Sequence, residues 1–411
     1  MAGGWRGGRV RERGLAVLLG PRRVGTILRL PGERSLFVFD DAYAADAERP
    51  VLSQSFLSAA GTLRQDASPT QGKLPPWFSN LLPEGRLREY LARRARVHPA
   101  LEYDLLRVVG EDLPGAVRVL GDWEDGEHRH EPPGSVPVAD DAPLRFSLAG
   151  VQLKFSALMN RQGGLTIPAS GMGGTWIVKL PSPEYPAVPE NEAAMLTLAG
   201  SVGIQVPEHR LVSVDAIEGL PALGPFAGKQ ALAVRRFDRT ETGRVHMEDL
   251  AQVFGVYPES KYRGIGVARI AELIGVVLGH EAAQDFVARL AFIVLTGNGD
   301  MHLKNWSLLY PDGHTPVLAP AYDLVSTVPY MPGETLALSF VNERSFAAIT
   351  VDRFRQLAAR AGLSERGTVA TAERVASAVR GTWAVQRRAS NVPAELLDRI
   401  EAHLAAMPLG R

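Results

Sequence analysis

The chain has 411 residues, 45% of them hydrophobic, enough for two or three packed layers or lobes. Lysine plus arginine equals aspartate plus glutamate at 45 each, which argues against a chain-wide basic surface for nucleic acid. Cysteine is absent, which excludes disulfides, thiolate nucleophiles and cysteine-based zinc sites.

The N-terminal "MAGGWRGGRVRERG" is basic, but the apolar "LAVLLG" that follows is too short for a secretory core. No stretch approaches the roughly 20 apolar residues that span a bilayer, so a soluble, cytoplasmic protein without membrane contact is expected. "LAVLLG", "VGTILRL" and "SLFVFDD" are punctuated by Gly and Pro at hairpin spacing, which predicts a small antiparallel sheet. From Pro75 the pattern turns helical, with Leu87, Tyr90 and Leu91 on one face of "PPWFSNLLPEGRLREYLARRARV". A second helix, "ALEYDLLRVVG", should stop at Gly110.

Residues 121–143, "GDWEDGEHRHEPPGSVPVADDAP", read as a linker or long surface loop. Its "HRH" could suggest a metal, but a solvated loop is the better reading. Residues 144–236 look β-rich, with strands in "RFSLAGVQLKFSALMN", "TWIVKLP", "HRLVSV" and "QALAVRRFD". One inserted helix, "NEAAMLTLAGSVG", has Asn191 placed to cap it and Gly203 to end it. After about 245 the chain reads as mainly helical: "MEDLAQVFG", "GVARIAELIGVVLG", "EAAQDFVARLAFIVLTG" and three more helices from 351. The expected fold is α+β, two-lobed and kinase-like. An N-terminal sheet-and-helix module (1–120) precedes the linker, a β-rich nucleotide lobe (144–236) and a helical catalytic lobe (237–411).

A β-rich lobe followed by a helical one directs attention to phosphoryl transfer, which asks for positioning and charge neutralisation. Kinases place a catalytic Asp five residues before an Asn, with a later Asp to share the metal. Asp300 and Asn305 in "GNGDMHLKNWSLL" have that spacing, and Asp323 in "APAYDLVST" follows 18 residues after Asn305. Lys179 closes the strand "TWIVKL" as a phosphate-clamping lysine should, and Glu192 in the next helix could pair with it.

These segments resemble the HipA-type serine/threonine kinases, the toxin half of bacterial toxin–antitoxin pairs. "GNGDMHLKNWSLL" matches the family's G-x-x-D-x-H-x-K-N-x-S loop, "LAPAYDLVST" its metal-binding segment, and "FSLAGVQLKFSAL" its S-x-A-G-x-Q-x-K phosphate loop. "ALAVRRFDR", "MEDLAQVFGVYPESKY" and "SNLLPEGRLREYLARR" fit as well, so the resemblance covers about residues 10–340.

The resemblance implies ATP and Mg²⁺ as cofactors, with Asp300 as catalytic base and Asn305 and Asp323 as metal ligands. It places His302, Lys304 and Tyr322 at the nucleotide, with Lys304 reaching the γ-phosphate, and assigns Lys179 to the phosphates. Ala149, Gly150, Val151, Gln152, Leu153 and Lys154 would fold over the triphosphate, Gly150 permitting close backbone approach. Arg235, Arg236 and Phe237 match the hinge that meets adenine through its main chain, although an acidic residue is usual at the Arg235 position. Ser147 matches an autophosphorylated serine, whose added charge would expel the loop and silence the enzyme.

The implied partners are a protein substrate of the translation apparatus, such as an aminoacyl-tRNA synthetase, and a helix-turn-helix antitoxin of HipB type. DNA would be reached only through that antitoxin. A small-molecule phosphotransferase and a non-catalytic co-repressor are the alternatives; intact Asp300, Asn305 and Asp323 disfavour the second.

Overall fold

The computed structural model describes residues 12–66, 68–123, 154–159, 165–168, 173–220, 226 and 228–410. The HRH sequence, Ser147 and residues 149–153 lie outside the described residues. Strands β1 (Glu12–Leu19), β2 (Arg22–Leu30) and β3 (Arg34–Phe39) form the expected meander, extended by β4 (Thr70–Gln71) at one edge. The fifth strand, β5 (Val117–Trp123), pairs antiparallel with β1. The start of the stretch read as a linker is therefore sheet, because β1 needs a partner on its second edge. Helices α1 (Asp41–Ala45), α2 (Pro76–Ser79), α3 (Gly85–Ala95) and α4 (Glu102–Val109) accompany this sheet. Leu87 and Leu91 are buried on α3, and Gly110 caps α4.

The second sheet contains β6 (Lys154–Met159), β7 (Leu165–Thr166), β8 (Trp176–Lys179), β9 (His209–Ser213), β10 (Ile217–Glu218) and β11 (Gln230–Arg235), in the order β10-β7-β6-β8-β11-β9. Strand alternation divides its side chains between two environments. Phe155, Ala157, Trp176, Val178, Ala231 and Ala233 join the core of the N-terminal module. Their neighbours Lys154, Ile177, Lys179 and Val234 face a cleft on the other side. The two-residue period thus packs this sheet onto the N-terminal module while aiming two lysines the opposite way. Lys154 and Lys179 are directly opposite each other across the β6–β8 ladder.

Helix α5 (Val188–Ser201) packs on β11 and β9. It begins at Val188 with a proline in its first turn, so Asn191 is not its cap. Asn191 is wholly buried, donating to the Ser326 carbonyl at 2.9 Å and accepting from the Ser326 amide at 3.1 Å. A cap preference is local, and here a tertiary partner claims the amide. Gly203 follows the helix end at φ 85°, as read.

A hairpin of β12 (Arg239–Thr240) and β13 (Gly243–Arg244) leads to β14 (His246–Asp249) and the short α6 (Leu250–Val253). The segment read as helix from Met247 is therefore a strand followed by a single turn. Asp249 and Gln252 form a reciprocal capping box at the junction. The strand exists because β15 (Ser307–Tyr310) pairs with it, and β16 (Val317–Leu318) completes this three-stranded sheet. Helices α7 (Val267–Val277), α8 (His280–Thr296), α9 (Val351–Ala361), α10 (Glu365–Ala389) and α11 (Ala394–Ala406) enclose a second, larger core. Among the described residues no helix is long and apolar enough to cross a membrane.

The N-terminal module is joined to the helical lobe by buried polar groups. Glu248 on β14 accepts from Ser53 Oγ, the Gln54 amide, Trp77 Nε1 and Tyr310 Oη. Burial pushes its carboxyl up to about 7 against these donors. The folded protein then keeps this proton to higher pH than the unfolded chain, where the ordinary value is 4.5. The site should therefore lose stability as pH rises through that window. Relative to Glu248→Gln, wild type should lose on the order of 1.4 kcal/mol per pH unit between about 4.5 and 7, and nothing further above it. Urea unfolding of both proteins across this range measures the difference, and a pH-independent offset would contradict it.

Candidate active site

Helix α8 ends at Gly297 in the left-handed region (φ 67°), where a Cβ would meet Val328 at 2.6 Å. The chain then turns through Asn298 to Asp300 and enters a 3-10 turn at Leu303–Asn305. Three hydrogen bonds pin the backbone of Asp300. Its amide donates to Asn298 Oδ1 at 3.0 Å, and its carbonyl accepts from Asn305 Nδ2 at 2.9 Å and from the His302 amide at 2.8 Å. Asn298 Nδ2 also reaches the carbonyl of Asp323 at 3.4 Å, tying together the two loops that carry the acids.

Asp323 adopts a left-handed conformation at φ 54°, uncommon for a residue with a Cβ and a mark of functional sites when the surroundings enforce it. Its carboxylate bonds Lys179, whose ammonium also donates to Glu192 Oε1 at 2.6 Å. Lys179 and Glu192 are almost wholly buried. Burial alone would lower Lys179, but Asp323 and Glu192 outweigh it and raise the ammonium well above its ordinary value. Burial would raise Asp323, yet Lys179 and Lys154 hold it well below the usual carboxylate range. Burial pushes Glu192 up, with Lys179 opposing. The Lys179–Asp323 pair lines the cleft, while burial lowers Lys154 beside it.

One cleft is lined by Lys154, Lys179, Arg235, Arg236, Phe237, His302, Lys304, Asn305, Tyr322 and Asp323. All the described candidate nucleotide residues therefore converge, with Asp300 exposed beside them in the same loop. Apolar Ile177, Val234, Leu81 and Met247 line the same cleft, and the Phe237 and Tyr322 rings lie 5.6 Å apart. Tyr322 Oη bridges Ser307 Oγ at 2.6 Å and the Lys304 carbonyl at 2.9 Å. His302 is buried, and its Nδ1 has no partner among the described residues. Burial, then Lys261, lowers its imidazole to about 3, so it is neutral and suited to a hydrogen bond rather than to charge neutralisation.

Two candidate side chains are engaged in unforeseen ways. Lys304 Nζ donates to the Asn80 carbonyl at 2.8 Å and to Asn80 Oδ1 at 3.1 Å, with Glu84 and Asp249 at 3.4 and 3.5 Å. The N-terminal module thus supplies part of the wall of the site. Arg236 is buried and bidentate to Asp238 at 2.8 and 2.9 Å, while Arg239 bonds buried Asp112 at 2.7 Å. These arginines clamp the hinge to the N-terminal module, leaving any hinge contact with a ligand to the main chain. Arg235 lines the cleft rim and pairs with exposed Glu208 at 3.3 Å, its own side chain half exposed.

Sequence reasoning assigned no role to Tyr262, Asn298, Asn80 or Glu84. Tyr262 Oη donates to Asp300 Oδ1 at 2.6 Å. Glu84 takes Lys261 at 2.8 Å, and Lys304 and Lys261 hold its carboxyl low despite burial. The quoted segments "SNLLPEGR" and "YPESKY" contained the signal for Asn80, Glu84 and Tyr262, but no spacing rule connects them to residues 300–305.

Although Asp300 is solvent-accessible, the protein packed around its carboxyl strips part of its water and raises it, with Tyr262 and Lys261 opposing. Asn305 and Asp323 offer an amide and a carboxylate in one cleft, hard oxygen donors of the type Mg²⁺ takes. Among the described residues no group of three or more His, Cys, Asp or Glu could hold a metal by itself.

A family described as HipA-like C-terminal domain matches residues 146–383, and one described as HipA N-terminal domain matches residues 15–120. The chain is 48% identical over 392 residues to the Sinorhizobium fredii protein "Putative kinase Y4dM", covering 94% of this chain and 95% of that one. It is 28% identical to the serine/threonine-protein kinase toxin HipA of Shewanella oneidensis over 73% of each chain. Among solved structures, one from the Shewanella oneidensis complex of HipA, HipB and operator DNA matches with a TM-score of 0.73 and 21% identity over 96% of both chains. The fold is the two-lobed, kinase-like α+β arrangement of that structure, and the chain is a member of the HipA-like family.

Proposed function

We propose that the protein is an ATP- and Mg²⁺-dependent serine/threonine protein kinase. The observation that carries this reading is the convergence of Lys179, Glu192 and Asp323 with the loop bearing Asp300 and Asn305. A cleft holding a lysine clamp, hard oxygen ligands, an apolar slot and a separate carboxylate at its mouth meets the requirements of phosphoryl transfer.

Lys179 neutralises phosphate charge, and Glu192 fixes its ammonium in place. Asn305 and Asp323 would hold Mg²⁺, which when bound would supply positive charge to neutralise the phosphates. Residues 149–154 cover the triphosphate, and residues 235–237 meet adenine through their main chain. Phe237 and Tyr322 bound the base, the neutral His302 offers a hydrogen bond, and Lys304 swings from Asn80 to the γ-phosphate. Asp300 takes the proton of the acceptor hydroxyl. Phosphorylation of Ser147 inhibits the enzyme by adding negative charge to the phosphate loop.

The substrate is a cytosolic protein of translation, for which an aminoacyl-tRNA synthetase is the leading class. A HipB-type helix-turn-helix antitoxin restrains the enzyme and supplies the DNA contacts. The likeness to the Shewanella oneidensis HipA that is in complex with HipB and operator DNA supports that partner. The 30% identity over 80% of each chain to a second Sinorhizobium fredii kinase homologue adds to the kinase reading.

Incubation with γ-labelled ATP, Mg²⁺ and a cell extract tests the proposal. Label on serine or threonine of an extract protein, abolished by chelating Mg²⁺, is expected. Label that persists in chelator, or appears only on small molecules, would contradict the protein-kinase reading.

A further inference from the structure

Asp300 has its backbone pinned by three hydrogen bonds, but the carboxylate that would do chemistry is held differently. Among the described residues its one hydrogen-bond donor is the Tyr262 hydroxyl, on Oδ1 at 2.6 Å. Tyr262 is 36% exposed, and a phenol so placed could point into solvent. Instead it turns back onto the acid, and its surroundings keep it there. Arg344 Nη2 donates to the Tyr262 carbonyl at 2.9 Å, and the Leu303 amide donates to the Lys261 carbonyl at 3.3 Å. The Tyr262 ring meets the His302 ring edge-on at 4.9 Å, and Lys261 is anchored on Glu84 at 2.8 Å. The tyrosine is thus tied to the same loop as the carboxylate it bonds.

From this geometry we infer that Tyr262 is the positioning residue for Asp300, fixing the carboxylate through Oδ1 so that Oδ2 faces the incoming hydroxyl. The inference rests on the kinase reading of Asp300. A base works only within hydrogen-bond reach and in the right orientation, and orientation by a third group is the recurring solution. A carboxylate has room for two acceptors' worth of bonds, so Tyr262 need not leave when substrate arrives. Such a contact acts in the reacting complex rather than on ligand affinity. Its loss should therefore appear in kcat and not in KM.

The test is Tyr262→Phe, which keeps the ring and its packing on His302 and removes only the hydroxyl. The expected result is a kcat lower by about tenfold, the value of one ordinary hydrogen bond, with KM for ATP and for the acceptor protein unchanged. An unchanged kcat would overturn the inference. So would a higher rate with a lower acceptor KM, since the phenol would then be a plug and not a guide. A second readout needs no activity. Crystal structures of both proteins without nucleotide should show one Asp300 orientation in wild type and a spread in Tyr262→Phe; the same single orientation in both would refute the positioning role. If wild type transfers no phosphate, the kinase reading falls and this structural comparison still decides what orients Asp300.

Discussion

Asp300→Asn is expected to lower the rate of phosphoryl transfer by about 10² to 10⁴, the usual cost of removing a positioned general base. The replacement has the same shape, and its amide oxygen still accepts from the Tyr262 hydroxyl, so the loop should keep its hydrogen bonds. Asp300 is exposed beside the cleft, its side chain bonded to Tyr262 and not to Lys179, which takes Asp323 and Glu192. Binding of a non-hydrolysable nucleotide should therefore be retained. Initial rates at saturating ATP, with calorimetry of the analogue, separate the two effects. An undiminished rate would remove Asp300 from the chemistry, and lost binding would make its role structural.

The second large effect belongs to Lys179. Its ammonium lies between Glu192, which is 1% exposed in its side chain, and Asp323. Glu192 Oε2 already has no hydrogen-bond partner among the described residues. Lys179→Met would remove the ammonium that bonds both Glu192 and Asp323, and breaking a buried pair from one side typically costs 3–5 kcal/mol, about as much as a domain can spare. Adding Glu192→Leu should recover part of that loss, since apolar replacement of a buried pair is often neutral while Asp323 still lacks Lys179. Activity should not recover: loss of a preorganised charge at the phosphates costs about 10² or more whatever the stability. Thermal unfolding and kinase assays on the single and double variants give both numbers. A double variant that regains activity would show that Lys179 serves folding alone.

The legible parts of this fold and site are those encoded by short-range pattern. The strand around Leu15 is a short apolar run, those around Ile27 and Phe37 alternate, and α7 and α8 carry continuous apolar faces, so each element can be placed without knowing its neighbours. Asp300 and Asn305 fall within one turn of chain, and five residues fix their relation. Strand β14 was illegible because its four residues become a strand only on pairing with β15, some sixty positions later. Asn191 misled for a similar reason, since its partner Ser326 is 135 residues away.

The same distance hides the wall of the site. Lys304 meets Asn80 across 224 residues, and Glu248 meets Ser53 across 195. Tyr262 reaches Asp300 across 38. Such pairs answer to tertiary packing, and neither propensity nor periodicity carries information about them. Phe155, Trp176 and Ala233 show how the modules came to share a core: each strand's alternate residues serve two partners, and only the assembled sheet reveals the second.

The most direct measurement is a crystal structure of this protein with Mg²⁺ and a non-hydrolysable ATP analogue. The account predicts adenine beside Phe237 and Tyr322, the metal on Asn305 and Asp323, phosphate at Lys179, and the terminal phosphate turned toward Asp300. A nucleotide bound elsewhere, or a cleft that stays empty at saturating analogue, would contradict it.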